Sequence, residues 1–216
     1  MTILHSIRHC TITIPALEHA IHLPSLFLFL ALATTAARAQ LPSPQPPRPA
    51  PDISSHPDRP VANPADVASP VAIVHAFFSA ISAPSGGRLD RSRLQSLFVP
   101  DGRIAIGIEP KSSRPADVLF LTPAQYAESS DTCTATHGFL DHNLANQVDR
   151  FGVMAHVYSS YESRSNPADP KPMGRGIKSF ELLNCAGRWY ILQVYFDTER
   201  PNNPIPDRYL HDGPTS

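Results

Sequence analysis

Charge clustering is absent from this chain of 216 residues: 18 lysines and arginines balance 19 aspartates and glutamates, with no long run of either sign. Nucleic-acid binding draws its affinity from a clustered basic face, and docking to anionic lipid needs the same, so neither partner is expected. Cysteine is scarce, at 3 residues. No CxxC pair occurs and His137 and His142 lack metal-ligand spacing, which argues against a metal centre. A glycine-rich phosphate loop and a nucleophile elbow are also missing, so no cofactor is expected. The wholly apolar run Leu26–Ala33 falls short of the ~20 residues of a spanning helix.

Proline is what the chain has in excess, at 24 residues, and its placement divides the sequence. Ahead of it, Arg8 and several histidines precede the Leu26–Ala33 run, and Ala37, Arg38 and Ala39 follow. That order of basic region, apolar core and small-x-small site predicts a cleavable signal peptide over residues 1–39 and an exported, periplasmic or secreted protein. The long basic region leaves the true start codon open. No cysteine follows the apolar core to carry a lipid anchor, so no membrane attachment is expected after cleavage. Of the thirty residues Leu41–Pro70, ten are proline. Proline fixes φ and donates no amide, so residues 40–68 read as an extended, disordered tether. Removing the signal removes Cys10. Cys133 and Cys185 are then the pair available for one disulfide, although spacing alone does not establish that they meet.

Residues 69–210 carry the periodicities of a folded domain, with a flexible tail at 211–216. Ser69 and Pro70 open a helix whose Ile73, Val74, Phe77, Phe78 and Ile81 share a face. A short helix spans 91–98, and Pro100, Asp101 and Gly102 read as a turn into a strand over 103–108. Thr122 and Pro123 start a third helix. Strands then follow over 138–150 and 153–164, joined by a turn at 149–152. A hairpin over 176–183 and 188–198 folds around Asn184–Gly187. Helices before an antiparallel meander give an α+β class.

Several stretches are similar to one known family. Arg150-Phe-Gly152, Ala155-His-Val157 and Ser160-Tyr-Glu162 form one strand motif. Gly176-Ile177 with Ser179, Leu182-Leu183, Trp189 with Ile191, and Asp197-Thr-Glu199 form the next two. Pro204-Ile-Pro206 and Tyr209-Leu210 close the chain. Together they resemble the nuclear transport factor 2-like (NTF2-like, SnoaL-like) superfamily over about residues 70–210. The departure is Cys185-Ala186 in the hairpin turn. The resemblance implies an NTF2-like cone, three N-terminal helices packed on a curved antiparallel sheet, with a pocket between them. It also implies a homodimer through the outer sheet face. It does not fix a reaction, because the fold serves isomerases, dehydratases, adaptors and proteins of no known activity.

Chemistry on such a fold needs a base and a hydrogen-bond donor facing one cavity. The ligand-pocket candidates are His142, Asn146, His156, Tyr158 and Tyr195, with Asp197 beside them. Alternation puts His142 and Asn146 inward with Leu140, Leu144 and Val148. The direction of His156 depends on strand register, since a slip of one residue inverts it. Tyr195 and Asp197 share a face with Trp189, Ile191 and Gln193, whereas Tyr190, Leu192, Val194 and Phe196 form the more apolar face and the expected core. Asp131, Asp141 and Asp149 read as solvated. Three functions stay open: binding of a small, largely apolar molecule, an isomerase, dehydratase or cyclase acting on one, and a protein-interaction module.

Overall fold

The computed structural model describes residues 59–111 and 114–213, together with Ile53. The expected signal peptide and most of the tether lie outside the described residues. Within them the folded region extends past the expected 69–210 at both ends. Ala62 and Val67 are buried in the core, and Pro64–Val67 forms a 3-10 turn capped by Asn63. At the other end Asp212 accepts from Asn146 N at 2.8 Å and Gly213 N donates to Asn146 O at 2.9 Å, so the expected tail is tied down as far as residue 213.

Helix α1 (Pro70–Ala80) starts where the sequence places it, with the Ser69 side chain accepting from Ala72 N and proline in its first turn. Helix α2 (Arg91–Leu97) is capped by Asp90. Helix α3 (Pro123–Thr134) carries a reciprocal cap between Thr122 and Gln125. The strands are β1 (Phe98–Ile108), β2 (Asp117–Leu121), β3 (Leu140–Phe151), β4 (Met154–Arg164), β5 (Gly174–Cys185) and β6 (Arg188–Thr198). They form one curved sheet in the order β2-β1-β6-β5-β4-β3.

The sheet is mixed rather than antiparallel throughout, because β1 pairs parallel with β6 while every other pairing is antiparallel. Only α1 and α2 precede the sheet, since α3 follows β1 and β2. Pro100, Asp101 and Gly102 are not a turn. They lie within β1, where the pairing with β6 shifts register between Phe98 and Arg103. The edge strand β2 was not legible in the sequence.

The core lies between α1, α2 and the inner face of the sheet. Phe77 meets Phe180 edge-on at 5.2 Å and Phe98 at 6.1 Å, and Ile73, Leu94, Ile104 and Ile191 are fully buried around them. Each such side chain contributes about 1.5–3 kcal/mol. Gly176 admits Tyr161: a Cβ there would stand 2.2 Å from Asp197 O and 2.8 Å from the Tyr161 ring.

Two bulges decide which side chains face inward. In β3, Asn143 pairs with Tyr161 and Ala145 with Ser160, leaving Leu144 extra. In β6, Ile191 pairs with Leu182 and Gln193 with Glu181, leaving Leu192 extra. Each extra residue inverts the alternation beyond it. Strict alternation therefore fails on both strands. Trp189 and Ile191 are buried, as are Val194 and, in part, Phe196, while Leu192 is exposed. Likewise His142 is exposed while Asn146 is buried.

The β3–β4 turn is Gly152-Val153 rather than 149–152, with Gly152 at φ +57°. Val148 consequently pairs with Val157 and Asp149 with His156, which puts His156 on the outer face. Cys185 is a free, exposed thiol at the β5–β6 hairpin, so the possible bond between Cys133 and Cys185 is not formed.

Candidate functional site

Across the outer face, Tyr158, Ser179 and Tyr195 stand in one row on β4, β5 and β6, each paired with the next. Strands are spaced about 4.8 Å apart, so the two tyrosines stand about 10 Å from each other with a small serine between them. A small residue between two rings leaves a slot. The segment Asn203–Tyr209 flanks it, and the half-open cavity of about 360 Å³ is lined by Tyr158, Ser179, Tyr195, Ile205 and Tyr209, with Asp197, Glu199 and Arg208 also in its lining.

The strap is held at defined points. Ile205 is buried and its N–H donates to Glu199 Oε1 at 2.8 Å. The Tyr209 ring leans on Tyr158 at 5.0 Å. Gln147 Nε2 donates to Arg208 O at 2.9 Å and to His211 O at 2.6 Å. The carboxylates at the rim are matched by arginines. Arg200 forks onto Asp197 with both contacts at 2.7 Å, and Arg175 reaches Glu199 at 3.3 Å. That fork raises the Arg200 guanidinium above its ordinary pKa, through the Asp197 hydrogen bonds above all.

His156 sits behind the slot. Its Nε2 is 2.8 Å from Ser179 Oγ and 3.7 Å from Glu181 Oε1, and its ring is 5.5 Å from Tyr158. Serine, histidine and glutamate stand close together here, yet both partners meet the same ring nitrogen. A nucleophile relay needs the acid on the opposite nitrogen from the serine. This arrangement therefore orients the Ser179 hydroxyl and does not assemble a triad.

Of the sequence-predicted residues, Tyr158 and Tyr195 line the slot and His156 braces it. His142 lies elsewhere, in an open cleft of about 500 Å³ between α1 and β3 with His75, Phe78, Ser79, Ser82, Asp141 and Asn143. Asn146 is neither there nor in the slot. Its side chain exchanges hydrogen bonds with Asn143, and its backbone anchors the strap end at Asp212 and Gly213.

Sequence reasoning missed the interior polar cluster. Asp141, expected to be solvated, is 4% exposed. Its Oδ2 lies 3.1 Å from Lys178 Nζ, an ionic contact that lacks hydrogen-bond alignment, and Ser163 Oγ donates to Oδ1. Lys178 Nζ also lies 3.4 Å from the Tyr161 ring centroid and 4.3 Å from that of Phe196. Burial lowers the Lys178 ammonium, and Asp141 opposes that shift. Burial first, then Asp141, pushes the phenols of Tyr126 and Tyr161 up. A signal was present: Lys178 alternates with Phe180 and Leu182, so it was bound to the apolar face. The ammonium fills the space between these rings on the helix side, where a ligand pocket was expected.

No family model matches the chain, and no curated protein matches it. Solved structures similar to it include an NTF2-like protein of unknown function from Silicibacter pomeroyi, 17% identical with a TM-score of 0.42, spanning 60% of this chain and 92% of that one. Another, from Shewanella baltica, is 14% identical with a TM-score of 0.41 over 61% and 98% of the two chains. A third NTF2-like protein of unknown function, from Methylobacillus flagellatus, is 14% identical with a TM-score of 0.37 over 59% and 90%.

Proposed function

We propose that the domain binds a small molecule with a flat apolar body in the slot between Tyr158 and Tyr195, without turning it over. The observation that carries this reading is the tyrosine–serine–tyrosine row under the strap. Its volume of about 360 Å³ falls within the usual range of ligand pockets. Aromatic walls supply stacking area, and Ser179 supplies one oriented polar contact. An isomerase or dehydratase would need two ionisable groups facing one cavity. His142 and His156 occupy different parts of the domain, and the carboxylates at the slot, Asp197 and Glu199, are held by Arg200 and Arg175, which favours the binding reading. Export, with the ligand met outside the cytoplasm, belongs to the same proposal.

The test is to purify the protein and measure thermal shifts against a panel of small aromatic compounds, with mass spectrometry of any molecule carried through purification. A stabilising compound should lose its effect in Tyr158→Ala and Tyr195→Ala and keep it in His142→Ala. A shift that survives both tyrosine changes would sink the assignment. Consumption of the compound would replace binding with catalysis.

A further inference from the structure

A second cavity, of about 220 Å³, opens where the chain ahead of the 3-10 turn meets the end of α2 and the start of β6. Arg59, Pro60, Val61, Ser96, Arg188 and Tyr190 line it, with Ile53. Two guanidiniums converge on it. Arg59 Nη2 donates to Gln95 O at 2.6 Å and Arg188 Nη2 donates to Ser96 O at 2.5 Å, so each satisfies one carbonyl in the last turn of α2. Arg188 also lies over the Tyr190 ring at 4.1 Å.

Capping a short helix accounts for one N–H of each side chain and leaves the others. Arg188 Nε is buried without a hydrogen-bond partner. Among the described residues no carboxylate pairs with either guanidinium. Arg91, Arg93, Arg164, Arg175 and Arg200, by contrast, each reach an acid. Burial lowers the Arg59 guanidinium, and the charge of Arg188 lowers it further. Two partly desolvated cations side by side repel each other, and each retains planar N–H donors suited to paired oxygens.

We propose that Arg59 and Arg188 form a binding site for a small oxyanion, a phosphate or a carboxylate group, seated against Tyr190. The site is independent of the tyrosine slot, and neither proposal depends on the other.

The experiment follows the melting temperature of the full chain in sodium phosphate, sodium acetate and sodium chloride at matched ionic strength. Phosphorus-31 line broadening of inorganic phosphate by the protein serves as a second readout. Phosphate or acetate should stabilise the protein where chloride does not, and the preferred anion identifies the group the site takes. Arg59→Gln and Arg188→Gln should each weaken the apparent affinity about tenfold, as the loss of one charge-assisted contact implies. Arg188→Gln also removes a cap from α2. The partly exposed Arg59 and the line width on the unaltered protein therefore decide the matter if that variant fails to fold. Equal stabilisation by all three salts, no line broadening, or the same response in Arg59→Gln would overturn the proposal. An acidic side chain of the chain itself found between the two guanidiniums would overturn it too.

Discussion

Lys178 and Asp141 form a costly pair, because both charges are removed from water. Removing one partner strands the other. Lys178→Met should therefore destabilise the domain by about 3–5 kcal/mol, while adding Asp141→Leu to it should recover most of the loss. A urea-denaturation double-mutant cycle measures both, and an unchanged midpoint in the single variant would show that the pair is solvated. The same cluster predicts an alkaline profile. Tyr126 and Tyr161 have folded pKa values above their unfolded ones, so their contribution is intact below about pH 10 and is lost as pH rises further. Lys178 has a lowered folded value, so the unfolded chain binds the extra proton just below about pH 10.4 and stability rises with pH there. Urea midpoints should thus climb toward about pH 10 and fall beyond it, with a shallower fall in Tyr161→Phe. Gly176→Ala should cost about 1–3 kcal/mol, since the added Cβ meets backbone and ring together, and its urea midpoint reports this. None of these residues was read from the sequence, although Lys178 alternates with Phe180 and Leu182 and so carried a local signal. Asp141 was hidden by the bulge that follows it.

At the scale of elements, two helix starts were legible because capping is local chemistry: Ser69 and Thr122 each cap as their positions suggest, while the Asp90 cap of α2 emerged from the structure. Strand faces were legible only up to a bulge. Leu144 and Leu192 each carry the apolar character of a core residue yet stand extra and exposed, at 39% and 41%. Alternation counted through them assigns His142 and Leu192 inward, against the structure. The β5–β6 turn sets Ala186 at φ +53° before Gly187 at +82°, a pair of left-handed positions in which alanine is the unfavourable member. Ala186→Gly should raise stability by up to about 1 kcal/mol, read as a melting-temperature gain of a few degrees. No gain would mean that the unfolded chain's added freedom offsets the relieved strain.

For the whole molecule, the strap ties the end of the described chain to the sheet. It crosses the outer face, flanks the tyrosine slot and is anchored at Ile205, Glu199 and Gln147. Combining Ile205→Ala with Glu199→Gln should free it. Limited proteolysis would then cut within residues 200–213 several times faster, and a compound that stabilises the parent protein through the slot would lose its effect. Unchanged cleavage would place the anchoring elsewhere.

Local rules in the sequence determined the class of the domain, the caps of its helices, the hairpins and most of the core of α1, because each depends on neighbours within a few residues. Tertiary structure alone decided the parallel β1–β6 pairing, the two bulges, the burial of Asp141 against Lys178, and the meeting of Tyr158, Ser179 and Tyr195 beneath a strap from the end of the chain. Those contacts join residues far apart in sequence. Their register is set by how the sheet packs on its helices, and no local period encodes it.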